Sequence, residues 1–278
     1  MTTAAYQGEP GSNSATAALA LYPEVGELPC TSFEQALDAV TLGDADIAVI
    51  PVDNSAAGRV ADVHHLLPES GLFIVAEYFL PISFDLMGVP GATLDQVQCV
   101  RSHVHALGQF RKVLREGGWR TLVCDDTAGA AREVAELGDP RHAALAPPAA
   151  AGLYGLQVLR AGVEDDPDNT TRFVVLSRDA VLVPHSKEPT MTSLFFSVRN
   201  IPSALYKALG GFASSGVNLT KIESYQMGAG FNPCRFYVEI EGHPNEESVA
   251  LALHELRFFS TEVRILGVYH AHPRRQKN

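Results

Sequence analysis

Cysteine, positive charge and long apolar runs are all scarce in this chain, and each shortage removes a class of protein. Four cysteines (Cys30, Cys99, Cys124, Cys234) are scattered through 278 residues with no CxxC pair. That spacing argues against a disulfide framework or a zinc site and leaves the thiols as small apolar side chains. Lys and Arg number 21 against 32 Asp and Glu, a formal net charge of −11. Nucleic acid and anionic membrane surfaces, which both require basic residues, are therefore poor partners. A small anionic substrate stays open, because a site needs only local donors. No window reaches the roughly 18–20 consecutive apolar residues of a membrane helix. Residues 1–14 lack the basic cluster and apolar stretch of a secretory leader. The expectation is a soluble, cytoplasmic protein. With 46% hydrophobic residues, the chain is long enough for two or three units, each with its own core.

Elements alternate through the first two thirds of the chain. The short apolar run 4–7 meets a polar, turn-forming stretch, Gly8-Glu9-Pro10-Gly11-Ser12-Asn13-Ser14, and the small-residue run 15–21 is helical in character up to Pro23. Ser32 followed by Gln35 is a capping box that opens a helix to about Leu42, with Gly43 past its end. Ile47-Ala48-Val49-Ile50 has the composition of a buried strand, which Pro51 is expected to end. Strands follow over 74–80 and 84–89, one helix over 103–116, a strand over 121–124 and a helix over 127–137. The run 143–146 is strand-like, Pro147-Pro148 leads into a short helix, and 172–177 is a further strand. This order predicts an α/β unit with a largely parallel sheet, whose ligands settle where strands end and helices begin. Blocks 51–58 and 125–131 stand at two such junctions.

From about 180 to 190, with Pro184 and Pro189, the chain reads as a linker. The pattern then changes to strand 193–198, helix 204–214, strands 218–225 and 235–241, helix 246–258 and strand 262–268. This βαββαβ order predicts a ferredoxin-like sandwich of four antiparallel strands backed by two helices. Leu205, Leu209 and Phe212, with Leu251, Leu253 and Leu256, supply the apolar helix faces. The basic tail 271–278 is expected to fray.

Four polar blocks are candidates for chemistry. Asn169-Thr170-Thr171-Arg172-Phe173 places an amide and hydroxyls on a loop, then a guanidinium, then an apolar strand. A neutral hydroxyl such as that of Thr171 can donate to a leaving oxygen without ionising, and preorganised donors of this kind contribute roughly 10²–10³ in rate. It is too weak an acid to act alone, so it reads as a positioned donor. The alternative is a hydroxyl-rich strand start that only caps backbone groups. Pro51-Val52-Asp53-Asn54-Ser55-Ala56-Ala57-Gly58 offers a carboxylate and an amide among small residues, or an ordinary helix cap. In Arg101-Ser102-His103-Val104-His105-Ala106-Leu107-Gly108-Gln109 the His-x-His pair lacks the further ligands zinc requires, and Ser102 reads as a helix N-cap whose exposed N–H groups could hold a carboxylate. The 8–14 stretch is no phosphate loop, because the Walker lysine is absent.

In their order along the chain these blocks resemble the prephenate dehydratase family. The similarity runs from Tyr6 to Tyr269 and includes Asp126-Thr127-Ala128-Gly129-Ala130-Ala131. The resemblance implies a cofactor-free hydro-lyase that turns prephenate into phenylpyruvate with loss of water and CO2. Such an enzyme must hold the leaving hydroxyl near a donor, orient the departing carboxylate and exclude water. The resemblance implies two lobes like those of a periplasmic binding protein, together spanning 1–182. Lobe 1 would cover about 1–80 and 152–182, lobe 2 about 81–151, with substrate between them. It assigns catalysis to Thr171, in the Thr-Arg-Phe motif, and to Asp53, Asn54, Ser102 and Gln109. It puts Ser12, Asn13, Ser55, Thr127, Ala128, Arg172 and Phe173 on the substrate-binding surface. Arg172 supplies positive potential or an inter-lobe ion pair. Asp53 stands where glutamate is usual, and His105 where glutamine is common.

Residues 190–270 resemble the ACT regulatory domain that commonly follows this catalytic unit. Gly216-Val217-Asn218-Leu219-Thr220-Lys221-Ile222-Glu223-Ser224 matches its ligand-binding stretch. The resemblance implies phenylalanine held between paired domains by Ala204, Leu205, Asn218, Leu219, Glu223 and Ser224, and hence a homodimer or homotetramer. The family often has Pro-Gly-Ala-Leu where this chain has Pro202-Ser203-Ala204-Leu205, and Glu-Ser-Arg-Pro where it has Glu223-Ser224-Tyr225-Gln226. Other readings are an arogenate dehydratase, a C-terminal domain that only dimerises the enzyme, and a non-catalytic binding protein fused to a sensor.

Overall fold

The computed structural model describes residues 2–181, 183–226 and 233–277. The side chains of Gln226 and Cys234, singled out above, lie outside the described set. The chain forms two compact units: residues up to 64 with 78–173, and 65–77 with the chain from 174 onward. No helix among the described residues is long and apolar enough to cross a membrane.

The chain opens with β1 (Thr3–Gln7), α1 (Asn13–Leu21), β2 (Gly26–Cys30), α2 (Phe33–Leu42), β3 (Ile47–Asn54), β4 (Gly58–Arg59) and α3 (Ala61–Leu66). It continues with β5 (Phe73–Pro81), β6 (Asp85–Gly88), β7 (Cys99–His103), α4 (Val104–Gln109), α5 (Arg111–Gly117), β8 (Arg120–Cys124) and α6 (Thr127–Leu137). Then come β9 (His142–Ala146), α7 (Pro148–Tyr154), β10 (Gln157–Arg160) and β11 (Thr170–Ser177). The last elements are β12 (Thr190–Ser197), α8 (Ala204–Ser214), β13 (Leu219–Gln226), β14 (Pro233–Glu241), α9 (Glu247–Phe259) and β15 (Glu262–His270).

Two sheets organise the first unit. One has the order β2-β1-β3-β11-β5 with β4 on β3, the other β10-β6-β9-β7-β8. Ala4, Ala5 and Tyr6 on β1 and Ala48, Val49 and Ile50 on β3 are fully buried, the continuous apolar signature of strands covered on both faces. The second sheet packs its β9 alanines on Ala130, Ala131 and Val134 of α6. Small residues let that helix sit close to the strands. The chain passes between the units within α3, β5 and β11.

The second unit carries a four-stranded antiparallel sheet of order β13-β14-β12-β15. Leu194, Phe196, Phe236, Val238 and Ile240 on one face pack on Ala208, Phe212, Leu253 and Leu256 of the two helices. The opposite face carries Ser193, Phe195, Tyr237 and Glu239, as the period-2 alternation of strands requires.

Several expectations need correction. Pro51 does not end β3, which runs on to Asn54. β1 pairs with β3 only at Ile47 and Ala48, so on that side the proline lies past the ladder. The single helix over 103–116 is two helices, broken at Phe110, whose ring is fully buried against Phe84. The Asp165 carboxylate caps the second of them, accepting from the N–H groups of Arg111 and Lys112 at 3.0 and 3.3 Å. In the Ser32 box, Gln35 accepts from the N–H of Thr31, one residue earlier than the motif specifies. The second sheet extends past 151 to include β10, and the second unit includes 65–77 as well as the C-terminal region. Leu251 points outward, 58% exposed, while Val249 and Leu253 face the core. The tail is not frayed at Arg275, whose guanidinium bonds two buried carboxylates, Glu77 at 2.7 and 2.9 Å and Glu239 at 3.0 Å.

Candidate active site

The C-terminal end of β3 meets the start of β11. Thr170 and Thr171 lie in the strand itself, not on the loop expected for them. Asn54 Nδ2 donates to Asn169 Oδ1 at 2.7 Å and to Thr171 Oγ1 at 2.9 Å, which uses both hydrogens of the amide. Its Oδ1 accepts from the N–H groups of Ala56 and Ala57, fixing the amide orientation. Asn169 Nδ2 in turn donates to Gln109 Oε1 at 3.0 Å. Ser55 and Thr170 lock the two segments together: the Ser55 N–H donates to the Thr170 carbonyl and the Thr170 N–H to Ser55 Oγ, both at 2.9 Å. Residues over a hundred positions apart thus converge in an uncharged network. Because Thr171 Oγ1 accepts from Asn54, its own proton is left to give, and among the described residues it makes no hydrogen bond as a donor.

Arg172 faces the other way, as the next residue in a strand must. Its side chain is buried, 3.5 Å from Asp53 Oδ2 and over the Phe79 ring. The pair joins β11 to β3 within one sheet, so it is not an inter-lobe bridge. Phe173 and Ala128, expected to meet substrate, are core residues with essentially no exposure. Ser102 is not a helix cap. It lies in β7, fully buried, and donates to the Leu145 carbonyl at 2.7 Å, pinning β7 to β9; His103 caps α4 instead.

A cavity of about 160 Å³ opens where the N-termini of α1 and α6 converge. Ser12, Asn13 and Thr127 line it, as do Gln7, Gly8, Ser14, His103, Asp125 and Asp126. The last three belong to motifs visible in the sequence, yet nothing in their spacing tells a cavity wall from a cap. Asp126 does both: its Oδ1 accepts from the Gly129 N–H at 2.7 Å. Burial pushes its carboxyl up, the Gly129 bond works against this, and the nearby Glu9 carboxylate adds to the rise. Burial lowers His103, and His105 beside it adds to the effect. Helix α4 links the two clusters. His103 at its start lines the cavity and Gln109 at its end holds Asn169, roughly 9 Å along the axis. Among the described residues no group of three or more His, Cys, Asp or Glu could hold a metal ion.

In the second unit, Ala204 and Leu205 begin α8, whereas Asn218 and Leu219 follow its far end, roughly 16 Å away for an 11-residue helix. Asn218 Nδ2 donates to Glu241, and Glu223 stands 3.7 Å from Lys221. Ser224 is exposed on β13. Tyr225 is buried against Phe195 and His65.

Residues 4–181 match the family model described as prephenate dehydratase. A bifunctional N-acyl-homoserine lactone acylase/prephenate dehydratase from Komagataeibacter europaeus is 46% identical, over 98% of this chain and 97% of that one. Arogenate dehydratase/prephenate dehydratase 1 from Arabidopsis thaliana is 37% identical, over 95% and 71%. Among solved structures, the prephenate dehydratase of Arthrobacter aurescens in complex with L-Phe superposes with a TM-score of 0.89 at 31% identity, covering 97% of this chain and 90% of that one.

Proposed function

The chain belongs to the prephenate dehydratase family, a family of hydro-lyases, and on that footing we propose that it converts prephenate to phenylpyruvate in the cytoplasm. The observation that carries the proposal is the 2.9 Å bond from Asn54 to Thr171. It turns the threonine proton toward whatever oxygen stands next to it. Departure of the ring carboxylate as CO2 sends its electron pair through the ring and expels the hydroxyl, which leaves as water once protonated. Thr171 donates to that oxygen as charge develops, and the proton is replaced from solvent. Asn54, Asn169 and Gln109 hold the donor in place without adding negative charge to a site that binds a dianion. Ser102 acts through the β7–β9 contact, and Asp53 by holding Arg172. Three buried free thiols, Cys30, Cys99 and Cys124, fit a reducing compartment.

Residues 190–270 would then form an ACT domain that senses phenylalanine, a ligand supported by the L-Phe complex of the Arthrobacter protein. The roughly 16 Å between the two halves of the expected amino-acid site favours a site shared by two domains, hence a homodimer or homotetramer. Phenylalanine bound there biases the enzyme towards a less active state, by about 1–3 kcal/mol for a typical coupling. Ser203 and Tyr225 depart from the family pattern at this site and weaken binding.

Arogenate is the second reading, favoured by one observation. Asp125 and Asp126 line the cavity and suit the ammonium of arogenate better than the ketone of prephenate. Steady-state assays of purified enzyme on both substrates, with and without phenylalanine, decide between them. A higher kcat/KM on prephenate is expected; turnover of neither would end the proposal, and a flat phenylalanine titration would end the regulatory part alone. The same preparation offered an N-acyl-homoserine lactone reports whether the acylase activity named for the Komagataeibacter relative extends to this chain.

A further inference from the structure

The loop after β1 and the helix α6 are joined by a charged fork that the dehydration chemistry does not use. Arg132 Nε donates to Glu9 Oε2 and Nη2 to Glu9 Oε1, both at 2.8 Å, while Nη1 reaches Glu136 at 2.9 Å. Tyr154 of α7 donates to the Pro10 carbonyl at 2.9 Å and lies 3.4 Å from Glu9 Oε2. Gly11 turns at a positive φ of 84°, and a Cβ there would sit 3.3 Å from the Ala150 backbone. The 8–12 loop, anchored to the first sheet by β1, is thus clamped onto two helices of the second.

What the clamp holds is the cavity wall. Gly8, Ser12 and Asn13 line it from one side, and Asp126 and Thr127 from the other. Gly129 marks how closely the sides approach, since a Cβ there would meet Glu9 Oε1 at 3.0 Å and Asp126 Oδ2 at 3.1 Å. Two carboxylates this close repel, and the Arg132 fork supplies the opposite charge that keeps Glu9 in place.

We infer that Glu9 and Arg132 are positioning residues, which set substrate affinity by fixing the 8–12 loop against α6. The inference rests on the functional reading above. Without the fork, substrate binding must order the loop, so apparent affinity falls by the fraction of molecules with the wall assembled. The Thr171 network is untouched, and turnover at saturation changes little.

The test is a set of saturation curves on prephenate for the full-length enzyme, Glu9→Gln, Arg132→Gln, Arg132→Lys and the Glu9→Gln/Arg132→Gln double variant, each with a thermal melt. Either single glutamine variant should raise KM by about fivefold with kcat within twofold, the usual scale for a charge-assisted hydrogen-bonded pair. The double variant should be no worse than the worse single, and Arg132→Lys should fall between wild type and Arg132→Gln. If Arg132→Gln does not fold, Glu9→Gln carries the same test. Unchanged KM, additive effects in the double variant, or a loss of kcat that follows melting temperature would each overturn the inference. A wild type that turns over neither prephenate nor arogenate would remove the functional reading and this inference with it.

Discussion

Asn54, Asn169, Thr171 and Gln109 form a network in which every group is neutral, so these four residues add no negative charge of their own to the candidate site. Three of the four were legible in the sequence through motif order. Asn169 was visible only as a member of its block, because its bonds go to residues 60 and 115 positions away. Arg172 was the misleading residue, since a guanidinium beside the Thr171 hydroxyl suggests substrate until strand alternation sends it to the other face. Ser203 is a second residue whose meaning needed both sources. The family pattern has glycine there, and Ser203 is the one non-glycine residue with positive φ among those described, at 65°. Left-handed backbone costs an L-residue roughly 1–2 kcal/mol, and glycine's greater unfolded freedom returns part of that. Ser203→Gly should therefore stabilise the protein by about 0.5–1 kcal/mol. Urea unfolding curves measure this, and a lower midpoint would contradict it.

At the scale of elements, helix caps and apolar periodicity fixed most boundaries: α6 and α8 begin and end at the predicted residues. The missed helix break has one cause, tertiary partners distant in sequence. The α4–α5 break at Phe110 depends on Phe84 and on the Asp165 cap, neither of which has a local signal. Gly267 in β15 also meets a partner distant in sequence. A Cβ there would sit 2.0 Å from the Ile74 carbonyl oxygen of β5, so glycine lets two backbones touch within the second unit. Gly267→Ala must displace β5 locally and should destabilise by roughly 2–3 kcal/mol. A thermal midpoint equal to wild type would show that the contact carries no such constraint.

For the molecule as a whole, the Glu9–Arg132 pair gives stability a dependence on pH. The Arg132 bonds hold the Glu9 carboxyl below its usual range, against burial, which acts in the opposite direction. A carboxyl lowered in the native state stabilises above its unfolded value, about 4.3, and loses that contribution as pH falls through the native value. The gap in melting temperature between wild type and Glu9→Gln should thus be open at pH 7 and close below about pH 4. A gap that widened on acidification would contradict the sign. In the proposed chemistry one threonine hydroxyl, oriented by an amide, assists water's departure. Thr171→Val tests it most directly, because it keeps the side-chain shape and leaves Asn54 its bond to Asn169. Turnover of prephenate by this variant at saturation should fall at least about a hundredfold with the melting temperature nearly unchanged; turnover within a few-fold of wild type would contradict the account.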